Sequence, residues 1–384
     1  MDARSDTDDA NDALLRLALA GGALAPRRAL LETLGDPRAA LRAGERTWRT
    51  HGLDAAQCSA LHRPDPALLA RCHAWLREPR HALLGLHDPD YPPLLRPIAS
   101  PPLALYVDGD PDALWHPAVA IVGSRSPTAG GIDNAHAFAS ALADAGLCIA
   151  SGMAAGIDTT AHAAALAGDG LTVAVLGTGI DVPYPRANTA LLARIAERGA
   201  VVSEFPPGTQ ARKEQFPSRN RILAGLSLGT LVVEAALRSG ALITARCAAE
   251  AGREVFAIPG SIHNPLARGC HRLIRDGAAL VEDAAEVVAA LGPMAAELAD
   301  ALCGRLRAGA GPAPAPGSEG SGGSQAPNAA HDTLWKALAY DPTPMEHLVL
   351  RTGLTTAELS SILLLMELDG RVVVEHGRYS RTRR

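Results

Sequence analysis

Between Ala211 and Ile222 the chain reads ARKEQFPSRNRI, with four basic residues, Arg212, Lys213, Arg219 and Arg221, and Glu214 as the sole acidic one. The whole sequence holds two lysines, Lys213 and Lys336, and four phenylalanines, yet Lys213 and Phe216 lie three positions apart here. Cations beside an exposed ring suit an unpaired nucleic-acid strand: charge meets the phosphates, and the ring gives a base a face to stack on. A solvated loop with Phe216 folded into the core accounts for the same residues equally well, since isolated basic–aromatic pairs are common.

Other stretches hold residues capable of chemistry. In Gly123-Ser124-Arg125-Ser126-Pro127 the glycine permits a sharp turn, and free N–H groups near a helix start can receive an anion. Arg125 can add a two-pronged grip on a phosphate. Ser151 to Asp158, SGMAAGID, is followed one helical turn later by His162. Asp158 and His162 could act as acid and base, but no nucleophile accompanies them, and helix capping by Asp158 is the favoured role. Gly177-Thr178-Gly179-Ile180-Asp181 precedes Tyr184-Pro185-Arg186 and lacks the third glycine of a dinucleotide fingerprint, which argues against NAD or FAD. Neither a G-x-x-x-x-G-K-[ST] loop nor a G-x-S-x-G elbow occurs. The glycine-rich turn Gly225–Thr230 with Glu234 is compatible with a nucleotide pocket, or Glu234 simply holds backbone N–H groups of the next loop. Six cysteines lie far apart without a C-x-x-C pair. His51, Cys58, His62, Cys72, His73 and His81 match no zinc spacing. No metal and no cofactor are expected.

Positioning these residues calls for an α/β architecture. Short apolar runs at 118–122, 147–150, 172–176, 200–204, 230–233, 255–258 and 279–281 read as strands covered on both faces. Amphipathic patterns near 132–145, 158–168, 187–198, 218–226, 241–252, 268–276 and 283–291 fall between and after them. Such alternation predicts a mainly parallel sheet with helices on both faces, whose ligands bind beyond the carboxyl ends of the strands. Residues 11–80 read as a small helical domain, a shape shared by DNA-binding hairpins and by ordinary scaffolds. The proline-rich stretch from Leu83 to Gly109 reads as extended or turn structure. Residues 83–292 form the core, 308–330 a Gly/Pro/Ser-rich flexible linker, and 331–384 a helix–turn–helix–hairpin module resembling a winged helix. That module has seven basic and seven acidic residues, and its second helix carries Glu358 and Glu367, so protein contact is favoured over firm duplex binding.

At 384 residues the chain is long enough for two or three domains, and 47% hydrophobic content supplies ample core. Its net charge of −5 excludes a generally basic nucleic-acid binder but not a local positive groove. The acidic N-terminus lacks the pattern of a signal peptide, and no uncharged apolar run is long enough to span a bilayer, so a cytoplasmic protein without membrane contact is expected.

Taken in order, GSR at 123–125, SGMAAGID at 151–158, GTGIDVPYP at 177–185, SEFPPG at 203–208, FPSRNRILAGLS at 216–227, VVEAALRSGALITA at 232–245 and GREVFAIPG at 252–260 resemble the DNA-processing protein A (DprA/Smf) family. The resemblance implies an extended Rossmann-like core that binds single-stranded DNA, forms a homodimer and loads a RecA-type recombinase in natural transformation, with no established catalysis. It implies a sterile-alpha-motif-like domain at the N-terminus and a winged helix at the C-terminus. It places Gly123, Ser124 and Arg125 at a phosphate, and Lys213 and Phe216 at the lysine and stacking ring of the DNA pocket. Arg186, Arg219, Asn220 and Arg221 are further candidate DNA contacts. The alternative is a Rossmann-like nucleoside-monophosphate phosphoribohydrolase, which GLSLGT followed by Glu234 distantly resembles.

Overall fold

The structure is a computed structural model, and it describes residues 3–309 together with 334, 343–352, 354, 359, 362–363, 366, 372–375 and 378–381. By its contacts the chain divides into two units, Met1–Gly311 and Pro312–Arg384.

The first unit opens with six helices: α1 (Ala3–Leu19), α2 (Leu24–Leu34), α3 (Pro37–Arg42), α4 (Gly44–Thr50), α5 (Ala55–His62) and α6 (Pro66–Leu76). Their ends follow from local chemistry. Gly35 stops α2 in the left-handed region at φ 68°. The carboxylates of Asp36, Asp54 and Asp65 cap α3, α5 and α6, with proline at the start of α3 and of α6. Leu14, Leu15 and Leu17 share one continuous core with Tyr106, Val107 and Val202 of the sheet.

The sheet has nine strands in the order β1-β2-β6-β5-β4-β3-β7-β8-β9. They are β1 (His81–Gly85), β2 (Ala104–Gly109), β3 (Ala118–Val122), β4 (Cys148–Ser151), β5 (Thr172–Val175), β6 (Ala200–Ser203), β7 (Gly229–Val232), β8 (Glu254–Ala257) and β9 (Ala279–Leu280). From β6 to β9 every pairing is parallel, while β1 and β2 add to the β6 edge antiparallel. The seven parallel strands fall within a residue or so of their expected positions. β1 and β2 fall at the two ends of the stretch expected as extended or turn structure; the prolines between them belong to the connection, where the buried Tyr91 hydroxyl donates to Pro102 O at 2.9 Å. The intervening helices are α7 (Ala129–Asp144), α8 (Ile157–Ala167), α9 (Thr189–Arg198), α10 (Gln215–Leu226), α11 (Ala241–Glu250) and α12 (Arg268–Arg275). From β3 the chain winds outward through β4, β5 and β6, then returns to the other side of β3 to build β7, β8 and β9. The connections after β3 and β7 therefore leave in opposite directions, which opens a crevice at the carboxyl ends of these two strands.

The last helix of this unit, α13 (Ala284–Gly309), runs well past the expected end at 291 and carries Pro293 inside it. Residues 308–309 of the expected linker are thus helical, and the rest of it lies outside the described residues. Ala284–Arg307 is long enough to cross a bilayer and has a mean hydropathy of 1.4, but Glu286, Glu297, Asp300 and Arg305 interrupt it, so the expectation that no uncharged apolar run is long enough stands. Here the helix is a wall of the protein. Val287, Leu291 and Leu298 pack into the core with Phe138 and Phe256, and Arg305 pairs with Asp90 and Asp112 and stacks on Trp115.

In the second unit, Thr343–Pro344 pairs with Arg378–Arg381, which pairs with Val372–Glu375, all antiparallel. A helix spans Met345–Thr352. Leu334, Leu348, Leu359, Leu363 and Met366 form its core. The helices expected over 333–339 and 356–368 fall mostly outside the described residues.

Candidate nucleic-acid interface

A cleft of about 670 Å3 opens at the carboxyl ends of the central strands. Gly123, Ser124, Arg125, Lys213, Phe216, Arg219 and Asn220 all line it, brought together from two separate segments.

Gly123 follows β3 directly. A Cβ there would come within 2.6 Å of Ile157 Cγ1 and 3.0 Å of Glu234 O, so the glycine serves close packing. The turn after it is already hydrogen-bonded: Ser124 Oγ accepts from Ser126 N at 3.1 Å, and Ser124 O accepts from Ile157 N at 3.2 Å. Arg125 stands exposed on this turn, with its Cζ 5.7 Å from the centroid of the Phe216 ring. That contact is a cation–π pair, and it brings the guanidinium and the ring to one place.

Phe216 sits in the first turn of α10, half-buried, and its ring lies 5.3 Å from that of Tyr184 at 44°. The ring lies over Gly177, where a Cβ would meet Phe216 Cδ1 at 3.0 Å. The glycine after β5 thus admits the ring. Lys213, one residue before the N-cap of α10, is exposed. Neither Arg125 nor Lys213 forms an ion pair among the described residues.

Arg219 and Arg221 behave differently: both guanidinium groups are engaged within the protein. Arg219 is 5% exposed. Its Nη1 donates to the carbonyls of Gly152 and Val175, and its Nε donates to Asn220 Oδ1 at 3.1 Å. Burial lowers its pKa to about 10, against the pull of Asp158, with the nearby Arg125 adding a smaller push in the same direction as burial. Arg221 donates to the Glu204 carboxylate, which also accepts from Ser218 Oγ at 3.0 Å. Both arginines face the strands on which α10 packs and tie that helix to the ends of β4, β5 and β6. Asn220 is 8% exposed and donates to Gly240 O at 3.5 Å. Arg186 is exposed on the short 3-10 turn before α9, outside the lining of the cleft.

Asp158 lies within α8 as its second residue, and the N-cap is Gly156 at φ 83°. Its carboxylate accepts from Gly152 N at 3.1 Å and Ala154 N at 3.3 Å, so it braces the preceding turn rather than capping its own helix. Burial raises its pKa, opposed by Arg219 and these N–H groups. His162 is buried against Thr172, Nδ1 to Oγ1 at 2.7 Å, and burial pushes its pKa down to about 3, with Arg219 acting in the same direction. The two residues thus serve separate structural partners. Glu234 is likewise occupied: it accepts from Thr128 N at 2.9 Å, Thr128 Oγ1 at 2.6 Å and Asn264 Nδ2 at 3.1 Å. It holds the loop after β3 instead of backbone N–H groups of the next loop along the chain, and this geometry leaves the phosphoribohydrolase alternative without a free carboxylate at that position.

Reading charge and aromatic spacing did not single out Arg238, Ser239 or Tyr184 as cleft residues. Arg238 and Ser239 line the cleft from the connection after β7, beside the start of α11, and Tyr184 lines it from the segment after β5. Arg238 and Tyr184 are exposed. Ser-Gly ahead of an apolar helix was the available signal for the first pair.

A doubly wound sheet with an exposed, partly aromatic and cationic cleft at its switch point defines an extended Rossmann-like binding protein. Residues 82–292 match the model of the DNA recombination-mediator protein A family, and residues 312–378 match the DprA winged helix domain. The chain belongs to the DNA recombination-mediator protein A family. It is 48% identical over 215 residues to Protein Smf of Escherichia coli, covering 56% of this chain and 58% of that protein. The X-ray structure of DNA processing protein A from Streptococcus pneumoniae matches with a TM-score of 0.64 and 38% identity, over 73% of this chain and 97% of that one. DNA processing protein A from Helicobacter pylori, whose structure is described for its unique single-stranded DNA binding mode, matches with a TM-score of 0.50 and 28% identity, over 55% of this chain and 95% of that one.

Proposed function

We propose that this protein binds single-stranded DNA in the cleft beyond β3 and β7, as a DNA-processing protein of transformation and recombination. Arg125 and Lys213 meet phosphates, Phe216 stacks a base, and Gly123 and Ser124 shape the turn that presents Arg125. Asn220, Arg219 and Arg221 act behind them by holding α10 in place. The protein works in the cytoplasm as a homodimer through its Rossmann-like core, and passes the bound strand to a RecA-type recombinase. The observation that carries the DNA reading is the placement of the Arg125 guanidinium over the Phe216 ring in a cleft that Lys213 also lines. What supports the recombinase step is membership in a family of recombination mediators.

The test is fluorescence anisotropy with single-stranded and duplex oligonucleotides at two salt concentrations. Phe216→Ala should cost about 1–3 kcal/mol for a stacked base. Arg125→Ala and Lys213→Ala should each flatten the dependence of log K on log salt by about 0.7. Unchanged single-strand affinity in the triple variant R125A/K213A/F216A would refute the site.

A further inference from the structure

We infer that Tyr184 is a second stacking residue, and that with Phe216 and Arg125 it bounds a slot for one unpaired nucleobase. This rests on the cleft holding single-stranded DNA. Beside the main cleft lies a smaller hollow of about 200 Å3, bordered by Arg125, Tyr184 and Phe216 and floored by Gly152, Ala154 and Arg219. It falls below the roughly 300–1,000 Å3 of pockets for drug-sized ligands and suits a flat one- or two-ring group.

Tyr184 is 46% exposed, and it is the one aromatic residue among the large exposed hydrophobic side chains of the described residues. Tyrosine is enriched at binding interfaces, where its ring is covered and its hydroxyl stays wet. Its exposure does not come from a loose loop. Thr178 Oγ1 donates to Val182 O at 2.7 Å, and Val182 N donates to Gly179 O at 2.9 Å. Gly208 N donates to Asp181 Oδ1 at 2.6 Å. On the far side, Asn188 Nδ2 reaches Met153 O at 3.0 Å and Thr159 Oγ1 at 2.9 Å. The segment is therefore tied down on both sides of Tyr184, and little ordering entropy is lost when the ring takes a ligand.

The two rings, 5.3 Å apart and tilted 44°, are too close to admit a base between them. They form adjoining walls of one bent aromatic surface. A base laid against that surface has the Arg125 guanidinium at its edge, since at 5.7 Å from the Phe216 centroid the guanidinium also leaves no gap for a base beneath it. Stacking on the rings and a hydrogen bond from the guanidinium then act on the same base. The competing view is that Tyr184 only props Phe216.

The test crosses substitution of the protein with removal of the bases. Wild type, Tyr184→Ala, Tyr184→Leu and Tyr184→Phe are titrated with oligothymidylate and with an abasic strand of equal length carrying the same phosphates. Tyr184→Ala and Tyr184→Leu should weaken oligothymidylate binding by about 5- to 100-fold and leave abasic binding unchanged, which also shows that the variants are folded. Tyr184→Phe should match wild type on both strands. Leucine as good as tyrosine assigns a propping role and overturns the inference. Equal losses on both strands, or a loss in Tyr184→Phe, overturn it too. Wild type binding neither strand would instead overturn the functional reading beneath it.

Discussion

Replacing Arg219 by Met should loosen the protein without removing a phosphate contact. The guanidinium is 5% exposed, and Asp158, at 6%, is the carboxylate within its field. The single variant leaves a buried carboxylate without its counter-ion and three oxygens, on Gly152, Val175 and Asn220, without their donor. Leaving three buried acceptors without a donor, at about 1–3 kcal/mol each, costs at least about 3 kcal/mol. With an m-value of about 3 kcal/mol/M, that lowers the urea midpoint by roughly 1 M or more. Removing both charges in D158N/R219M takes away the stranded carboxylate and should recover its share of the loss. This double variant then allows the decisive comparison in single-strand binding. Its salt slope should equal that of wild type, whereas Lys213→Ala should lose about 0.7. A cost below about 1 kcal/mol for the single variant, or a lowered slope in the double variant, would refute the structural assignment of Arg219.

Two further outcomes follow from buried geometry. His162 stays neutral in the native protein, with a pKa near 3, whereas an unfolded histidine titrates near 6.5. Its stability contribution is complete above pH 6.5 and is lost as pH falls, because the unfolded chain takes up a proton that the native one refuses. Asp158, with its raised pKa, acts in the opposite sense but is common to both proteins compared. Between pH 7 and pH 5, wild type should therefore lose about 2 kcal/mol more than His162→Gln in urea unfolding, and parallel profiles would dismiss the effect. Gly177→Ala would bring a Cβ to 3.0 Å from Phe216 Cδ1, so the ring must shift. Oligothymidylate binding should weaken by less than the ~1–3 kcal/mol of losing the ring, with the salt slope unchanged.

The parallel strands could be read from the sequence because strands buried on both faces appear as uninterrupted apolar runs; β3 is buried at all five positions. β1 and β2 were legible only as extended or turn structure, since Pro92, Pro93, Pro97, Pro101 and Pro102 between them blur where the strands end and the connection begins. Gly292-Pro293 looked like the end of a helix, yet α13 continues because Leu298 beyond it still has core to cover. In the site, residue type told which side chains were cationic but not which way they faced. On α10 that direction is set by the sheet beneath, which takes Arg219 and Arg221 inward and leaves Phe216 and the preceding Lys213 at the rim. Tyr184 was hidden differently: a lone tyrosine between two prolines has no periodicity, and its significance rests on a ring contact with a residue 32 positions away.

How a chain of net charge −5 attracts a polyanion is answered by pairing rather than by counting. Arg49, Arg246, Arg272 and Arg305 lie beside Glu45, Glu250, Asp276, and Asp90 with Asp112, so their charges are largely cancelled where they stand. Arg125, Lys213 and Arg238 have no such partner among the described residues; arginines such as Arg46, Arg63, Arg186 and Arg212 lack one too, but these three converge on one cleft. The switch in strand order makes this possible, because it opens between the loops after β3 and β7 and lets α10 reach in from the side. Unpaired charge between low-dielectric walls focuses the field into the crevice, while the acidic remainder of the surface repels polyanions elsewhere. Association should then be steered to the aromatic shelf, and its rate should fall steeply with ionic strength even though the protein as a whole is acidic.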